Sequence, residues 1–402
     1  MKKAVALFAC LLVISCGGDK NSGINVKPLE NAVTLELAFG DKDVPDEFLL
    51  ATPSRALVNY NGDIIVPDEY KLKIFDTDGK SKKIIGRRGQ GPGEFSPIPI
   101  PHISLISEDG YLTMIDQVGR NLQIFGPQYE FIEQKNIVKT KLFEKLRADF
   151  MCESLTYPII YTYNDKTDIW IGYGSSEIED KQEISKRVFS IVKTRGDECS
   201  IIYKSEEVTS PDNITESEAG MYLYTMLTDY RIAYSYPKEH KLFENEKWYY
   251  RIIVHNFKTG ETSEIKHQYV PLAIPDSVIN PKIDYEKMYE GYPSELKSEI
   301  ISNYKKLNES RSKALEKLKY YAPVQRLASD GDYIFAYTYQ YDKDKKYVTD
   351  VFKSSENKYI CSVYLPYIFT DFKDGYAYRI KSSADEYPQV EKYHIDPKVY
   401  GK

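Results

Sequence analysis

Six times along the chain, a short run of β-forming residues recurs, and four of these runs follow a tight turn. Asn61-Gly62 leads into Asp63-Ile-Ile-Val66, and Asp109-Gly110 into Tyr111-Leu-Thr-Met-Ile115. Asp330-Gly331 leads into Tyr333-Ile-Phe-Ala-Tyr337, and Asp374-Gly375 into Tyr376-Ala-Tyr-Arg-Ile380. Asn-Gly and Asp-Gly suit turns that need positive φ and are strong hairpin signals. Pro158-Ile-Ile-Tyr-Thr-Tyr163 and Arg231-Ile-Ala-Tyr-Ser-Tyr236 repeat the strand without the glycine. Further strands follow, such as Ile74-Phe75 and Ile124-Phe125. A period near 48 residues holding about four strands has the size of one β-propeller blade. One four-stranded sheet cannot bury both faces alone, whereas radial neighbours cover them. The expected fold is all-β: a six-bladed β-propeller of four-stranded antiparallel blades.

The intervals between starts are uneven, about 48, 48, 72, 101 and 44 residues. The largest holds a helical pattern over 294–321, with Leu296, Ile300, Tyr304, Leu307, Leu315 and Leu318 at three- and four-residue steps or their multiples and Ser294 placed as its cap. Residues from about 282 to 321 therefore read as a helical insertion between blades. The 72-residue interval reads as holding long outer hairpins around Asp165 and Gly196. Val33, Leu35, Leu37 and Phe39 alternate with Thr34, Glu36 and Ala38, a half-buried strand ahead of the first start. That strand could close the ring beside 376–380 or 390–395 and hide an edge. A pair of β-sandwiches and a seven-bladed ring are the competing architectures.

The amino terminus carries an address. Lys2 and Lys3 precede an uncharged apolar run, Ala4 to Ile14, too short to span about 30 Å of hydrocarbon but suited to an export signal. Val13-Ile-Ser-Cys16-Gly17 resembles the lipobox of bacterial lipoproteins. The resemblance implies cleavage before Cys16 and acylation of its thiol and amino group, and several acyl chains anchor durably. Residues 1–15 then form the signal peptide, 16–30 a small and polar tether, and 31–402 the propeller domain. The expected location is the bacterial cell envelope, anchored in the outer membrane, with the periplasmic or surface face open. Cys152, Cys199 and Cys361 are too scattered for a disulfide framework or zinc spacing.

With 60 acidic against 54 basic side chains, the formal charge of −6 disfavours nucleic acid as a partner. The 36 Tyr and 16 Phe supply more burial than a disordered chain carries. Eight of the tyrosines (60, 111, 161, 163, 234, 236, 337 and 339) fall in or near the proposed inner strands. Most suit the pleated core, and any at a blade mouth could stack on sugars or peptides.

The most distinctive segment is Ile84-Ile-Gly-Arg-Arg-Gly-Gln-Gly-Pro-Gly-Glu-Phe95. It lacks the Lys-Ser/Thr of a phosphate loop, and Pro92, Pro97, Pro99 and Pro101 block the helix such a loop requires. It reads as a connection between blades, with Phe95 plugging between sheets while Arg87 and Arg88 could face an anionic ligand. Together with Phe75-Asp-Thr-Asp-Gly-Lys80 before it and Gly110-Tyr-Leu-Thr-Met-Ile-Asp116 after it, the segment is similar to six-bladed β-propeller lipoproteins of Bacteroidetes, akin to NHL and TolB-like propellers. That resemblance implies the fold and an envelope location and carries over no catalytic residues.

No HExxH, GxSxG or acidic EF-hand loop occurs. His102 leads into the second start, where it and Asp116 are candidates for the channel mouth. Ligand-binding candidates are thus Arg87, Arg88, His102 and Asp116, with Cys16 as the lipidation site, no catalytic residue and no metal ligand assigned. The expected function is a non-catalytic module, membrane-bound through its lipidated terminus, that binds a glycan, peptide or envelope protein and needs no cofactor. The alternative is a metal-dependent hydrolase or lyase, with calcium held in the channel by Asp63, Asp68, Asp116 or Asp332.

Overall fold

The computed structural model describes residues 27–402 apart from 43, 90, 96–102, 117–120, 141–142, 145–153, 178–184, 197, 210–221, 237–239, 292 and 384. Six antiparallel sheets follow one another along the chain. Blade 1 spans residues 57–85, blade 2 103–136, blade 3 154–209, blade 4 223–269, blade 5 326–365, and blade 6 371–395. Blades 1 to 5 each have four strands in sequence order, blade 6 supplies three of its own, and blade 4 carries an extra short strand, Lys241–Glu244, on a projecting hairpin with Lys247–Asn256. This is the six-bladed propeller, and neither sandwiches nor a seventh blade are present among the described residues.

The blade interfaces show why the strands read as continuous apolar runs. Ile64, Ile65 and Val66 are all fully buried, yet successive side chains leave a strand on opposite faces. Ile64 and Val66 join the core between blades 6 and 1, whereas Ile65 joins the core between blades 1 and 2. Six apolar clusters occupy the six junctions in this way. Burying each such side chain contributes about 1.5–3 kcal/mol, so no blade is stable without both neighbours.

The ring is closed by the first strand. Val33–Phe39 runs antiparallel to Gln389–Ile395, with Val33 opposite Ile395 and Phe39 opposite Val390. It is the fourth strand of blade 6, and it covers what would otherwise be an open edge.

The glycine turns sit between the first and second strands of their blades. Gly62 (φ 85°) and Gly110 (φ 86°) supply the positive φ that two of these turns need. In blades 3 and 4, which lack the glycine, Lys166 (φ 63°) and Asp229 with Tyr230 (φ 60° and 57°) take that conformation. One expectation is corrected by this placement. The strands after the turns are second strands, and only Pro158–Tyr163 reaches an innermost one, Ser154–Thr162. The other innermost strands precede the turns and are short, down to Leu57–Val58 and Asp371–Lys373, too short to show an alternation. Tyr234 and Tyr337 accordingly lie in the cores between blades.

Between blades 4 and 5, the insertion holds α1 (Asp276–Ile279), α2 (Tyr285–Met288) and α3 (Ser294–Leu318). Pro293, not Ser294, occupies the cap position of α3, and no side chain caps it. The expected apolar face is only partly covered. Ile301, Ala314 and Leu315 are buried, whereas Leu296, Tyr304 and Leu307 are exposed.

Candidate functional site: the central channel

The six innermost strands surround a cavity of 480 Å³ on the ring axis, lined among others by Arg55, Tyr161, Tyr224, Arg326 and Asp371. The polar groups come from different blades. Arg55 lies just ahead of the innermost strand of blade 1, and Tyr161 lies in that of blade 3. Tyr224 belongs to that of blade 4, Arg326 opens that of blade 5, and Asp371 opens that of blade 6. Residues distant in sequence converge because every innermost strand runs down the same axis.

Asp371 is tied into the scaffold. Its Oδ2 accepts the Val58 N–H at 2.7 Å, stitching blade 6 to blade 1, and its Oδ1 accepts the Phe372 N–H at 2.9 Å. Removal from water nevertheless pushes its carboxyl up to about 6, outweighing those two donors and the charge of Arg55. Burial, together with the charge of Arg55, pulls the Arg326 guanidinium below its ordinary value. Burial also pushes the Tyr161 phenol up to about 12, so it stays a neutral donor. The Arg55 and Arg326 guanidiniums, the Asp371 carboxyl and the phenols of Tyr161 and Tyr224 therefore share one confined space, which Glu108 and Lys373 also line.

The opposite end of the channel is bridged. Glu108, in the first turn of blade 2, accepts the N–H groups of Asp229 (2.7 Å) and Tyr230 (2.8 Å) from the corresponding turn of blade 4. Adjacent Asp109 accepts the Asn164 N–H of blade 3 at 2.8 Å. These links tie the turns of blades 2, 3 and 4 together at that end, while at the other end Arg326 Nη2 donates to Thr370 O at 3.4 Å.

The segment around Arg87 and Arg88 is a brace outside the channel. Gly86 turns at φ 83°, and Phe95 folds back to donate its N–H to Arg87 O at 2.7 Å while its ring enters the core between blades 1 and 2. Arg87 pairs with Glu94 at 2.7 Å, and Arg88 lies over the Tyr70 ring at 5.5 Å. Neither lines the channel. Asp116 ends the strand Leu112–Asp116 of blade 2, its side chain outside the described set, and Cys16 and His102 also lie outside the described residues.

The acidic strand ends do not gather. Asp63 and Asp68 flank and close the single strand Ile64–Asp68, so they stand at its opposite ends. Asp63 takes the Lys82 ammonium and the Tyr129 hydroxyl, and Asp68 takes the Lys73 ammonium at 2.6 Å. Asp332 of blade 5 pairs with Arg231 at 3.1 Å. Among the described residues, no group of three or more His, Cys, Asp or Glu side chains is arranged to hold a metal ion.

Arg55, Tyr224, Arg326 and Asp371 carry no short-range sequence signal. Each sits in or beside an innermost strand of two to five residues, and nothing local distinguishes a channel arginine from a surface one. The register of the repeat is the cue: the polar residue a few places ahead of each turn.

Several solved structures resemble the chain in outline. A protein described as exported, from Bacteroides fragilis, is 11% identical and aligns over 94% of this chain and 99% of its own, with a TM-score of 0.46. A DUF4221 member from Bacteroides vulgatus is 13% identical over 92% and 99%, with a TM-score of 0.47. A catalytically inactive virginiamycin B lyase from Staphylococcus aureus is 10% identical over 90% and 100%, with a TM-score of 0.38. No curated protein matches the chain. The family model DUF5128, a 6-bladed beta-propeller, matches residues 42–244. That match covers half of the chain and agrees with the ring observed, and the chain belongs to the DUF5128 family of 6-bladed β-propellers.

Proposed function

We propose that this chain is a lipid-anchored protein of the bacterial cell envelope, held in the outer membrane through Cys16, and that it acts as a non-catalytic binding module. Its channel takes a ligand bearing a carboxylate, such as an acidic glycan or a peptide carboxy terminus. The observation that carries the reading is the pair of guanidiniums, Arg55 and Arg326, facing one cavity with the phenols of Tyr161 and Tyr224. Guanidinium–carboxylate bonds are charge-assisted, directional and strong away from water. Asp371 supplies a counter-charge beside the two cations.

The test is calorimetric titration with oligogalacturonates and with short peptides carrying free or amidated carboxy termini. Arg55→Ala and Arg326→Ala should each weaken binding by about tenfold or more, the loss of one charge-assisted contact. Affinity should rise as pH falls through about 6, because Asp371 gains its proton there and stops repelling the anion. Asp371→Asn should remove that dependence. Absence of binding to every anionic probe would overturn the reading.

The competing reading is a hydrolase or lyase that uses Asp371, whose carboxyl near 6 matches a proton carrier. Turnover of any of the same probes, lost in Asp371→Asn, would establish it instead.

A further inference from the structure

We propose that the insertion between blades 4 and 5, with the hairpin below it, is a second membrane contact that lies on the lipid surface. The inference rests on the anchor reading above and adds an orientation to it. Of the fifteen large apolar side chains exposed among the described residues, eight fall between positions 243 and 320. Leu296, Tyr304 and Leu307 follow one another at helical spacing on α3 and are between 43% and 55% exposed. At the base, Phe243 is 58% exposed and packs its ring 4.8 Å from Trp248, which lies 6.4 Å from the half-exposed Tyr320.

Two observations name a bilayer as the occupant. The first is where the described chain begins. Pro28 lines a groove of 360 Å³ together with Val270, Leu272 and Ala322, so the amino-terminal segment reaches the ring against the foot of the insertion. Lys27 lies eleven positions after Cys16, a stretch that can span at most about 40 Å even fully extended. An acylated Cys16 therefore tethers the propeller to the membrane from this rim. The second is charge. Residues 294–319 carry seven Lys or Arg against four Glu, whereas the whole chain is net negative. A helix with an apolar stripe and an excess of cations fits the interface of a bilayer containing anionic lipid.

The chain has two tryptophans, and their positions supply the test. Trp248 lies in the patch, whereas Trp170 is buried in the core between blades 2 and 3. The full chain, expressed with its leader and purified from membranes, would be reconstituted into phosphatidylethanolamine–phosphatidylglycerol vesicles with plain or dibrominated acyl chains. Bromine should quench up to about half of the emission, because an interfacial indole reaches the acyl boundary, and Trp248→Phe should abolish that quenching. The double variant Leu296→Asp, Leu307→Asp should still float with vesicles and melt at the same temperature, but lose the quenching. Flotation of the native chain without quenching overturns this inference and leaves the anchor standing, and quenching unchanged in the double variant overturns it equally. A native chain that neither floats nor carries acyl mass on Cys16 overturns the anchor reading, and this inference with it.

Discussion

Gly86 shows how one position can couple a turn to a core. Its φ is 83°, and a β-carbon placed there would meet the Phe95 ring at 1.9 Å. Gly86→Ala is expected to destabilise the protein by about 2–4 kcal/mol, since the backbone is strained and a buried ring must move. Gly93→Ala, also at positive φ (71°) but facing open space, should cost only about 1 kcal/mol. Urea denaturation of the pair separates packing from backbone strain. Asp371 makes a different residue-scale statement. Its folded carboxyl holds a proton up to about pH 6, whereas an unfolded aspartic acid releases it near 4. Its contribution to stability is therefore full below pH 4 and lost as pH rises through 6.

Between elements, the innermost strands and turns are clamped by side chain to backbone bonds that cross from blade to blade. Asp330, 6% exposed, is one such clamp. Its Oδ1 accepts the Asp374 N–H at 2.7 Å, and its Oδ2 accepts the Gly375 N–H at 2.8 Å and the Tyr400 hydroxyl at 2.5 Å. Blade 5 thereby holds the first turn of blade 6 and the carboxy-terminal residues at once. Asp330→Ala should cost about 2–4 kcal/mol, because two N–H groups and a phenol lose their acceptor in a buried site. Tyr400→Phe should cost about 1 kcal/mol. Chemical denaturation of both, with the double variant, gives the coupling. Asp330-Gly331 is legible in sequence as a turn, but its grip on blade 6, 44 residues onward, is not.

For the whole molecule, closure decides stability. The strand Val33–Phe39 buries Phe39 against Phe75 at 4.9 Å and covers the edge of Gln389–Ile395. A chain lacking residues 1–40 should expose that edge, lose its single cooperative transition and aggregate, whereas one lacking only residues 1–26 should keep it. Thermal unfolding followed by light scattering checks both. The ring also sets what the channel can be, because the six innermost strands at the axis bring polar side chains from distant blades, Arg55, Tyr161, Tyr224, Arg326 and Asp371 among them, to one cavity.

The amino-acid sequence by itself pointed to the blade, to a ring of six or seven of them and to a strand at 33–39 that could close it. Those follow from local chemistry: positive φ at Asn-Gly and Asp-Gly, β-formers in short runs, and an alternation that must be buried. The structure decided for six and for pairing with Gln389–Ile395. The helical insertion was equally legible from its spacing. Tertiary structure alone decided which residues meet at the axis and which face of α3 stays uncovered. A channel is made of one or two side chains from each distant blade, so no window of sequence contains it. Arg87 and Arg88 stood out by composition yet sit on a brace, whereas Arg55 and Arg326 were inconspicuous and line the cavity. Ring closure, not proximity along the chain, puts those two charges together.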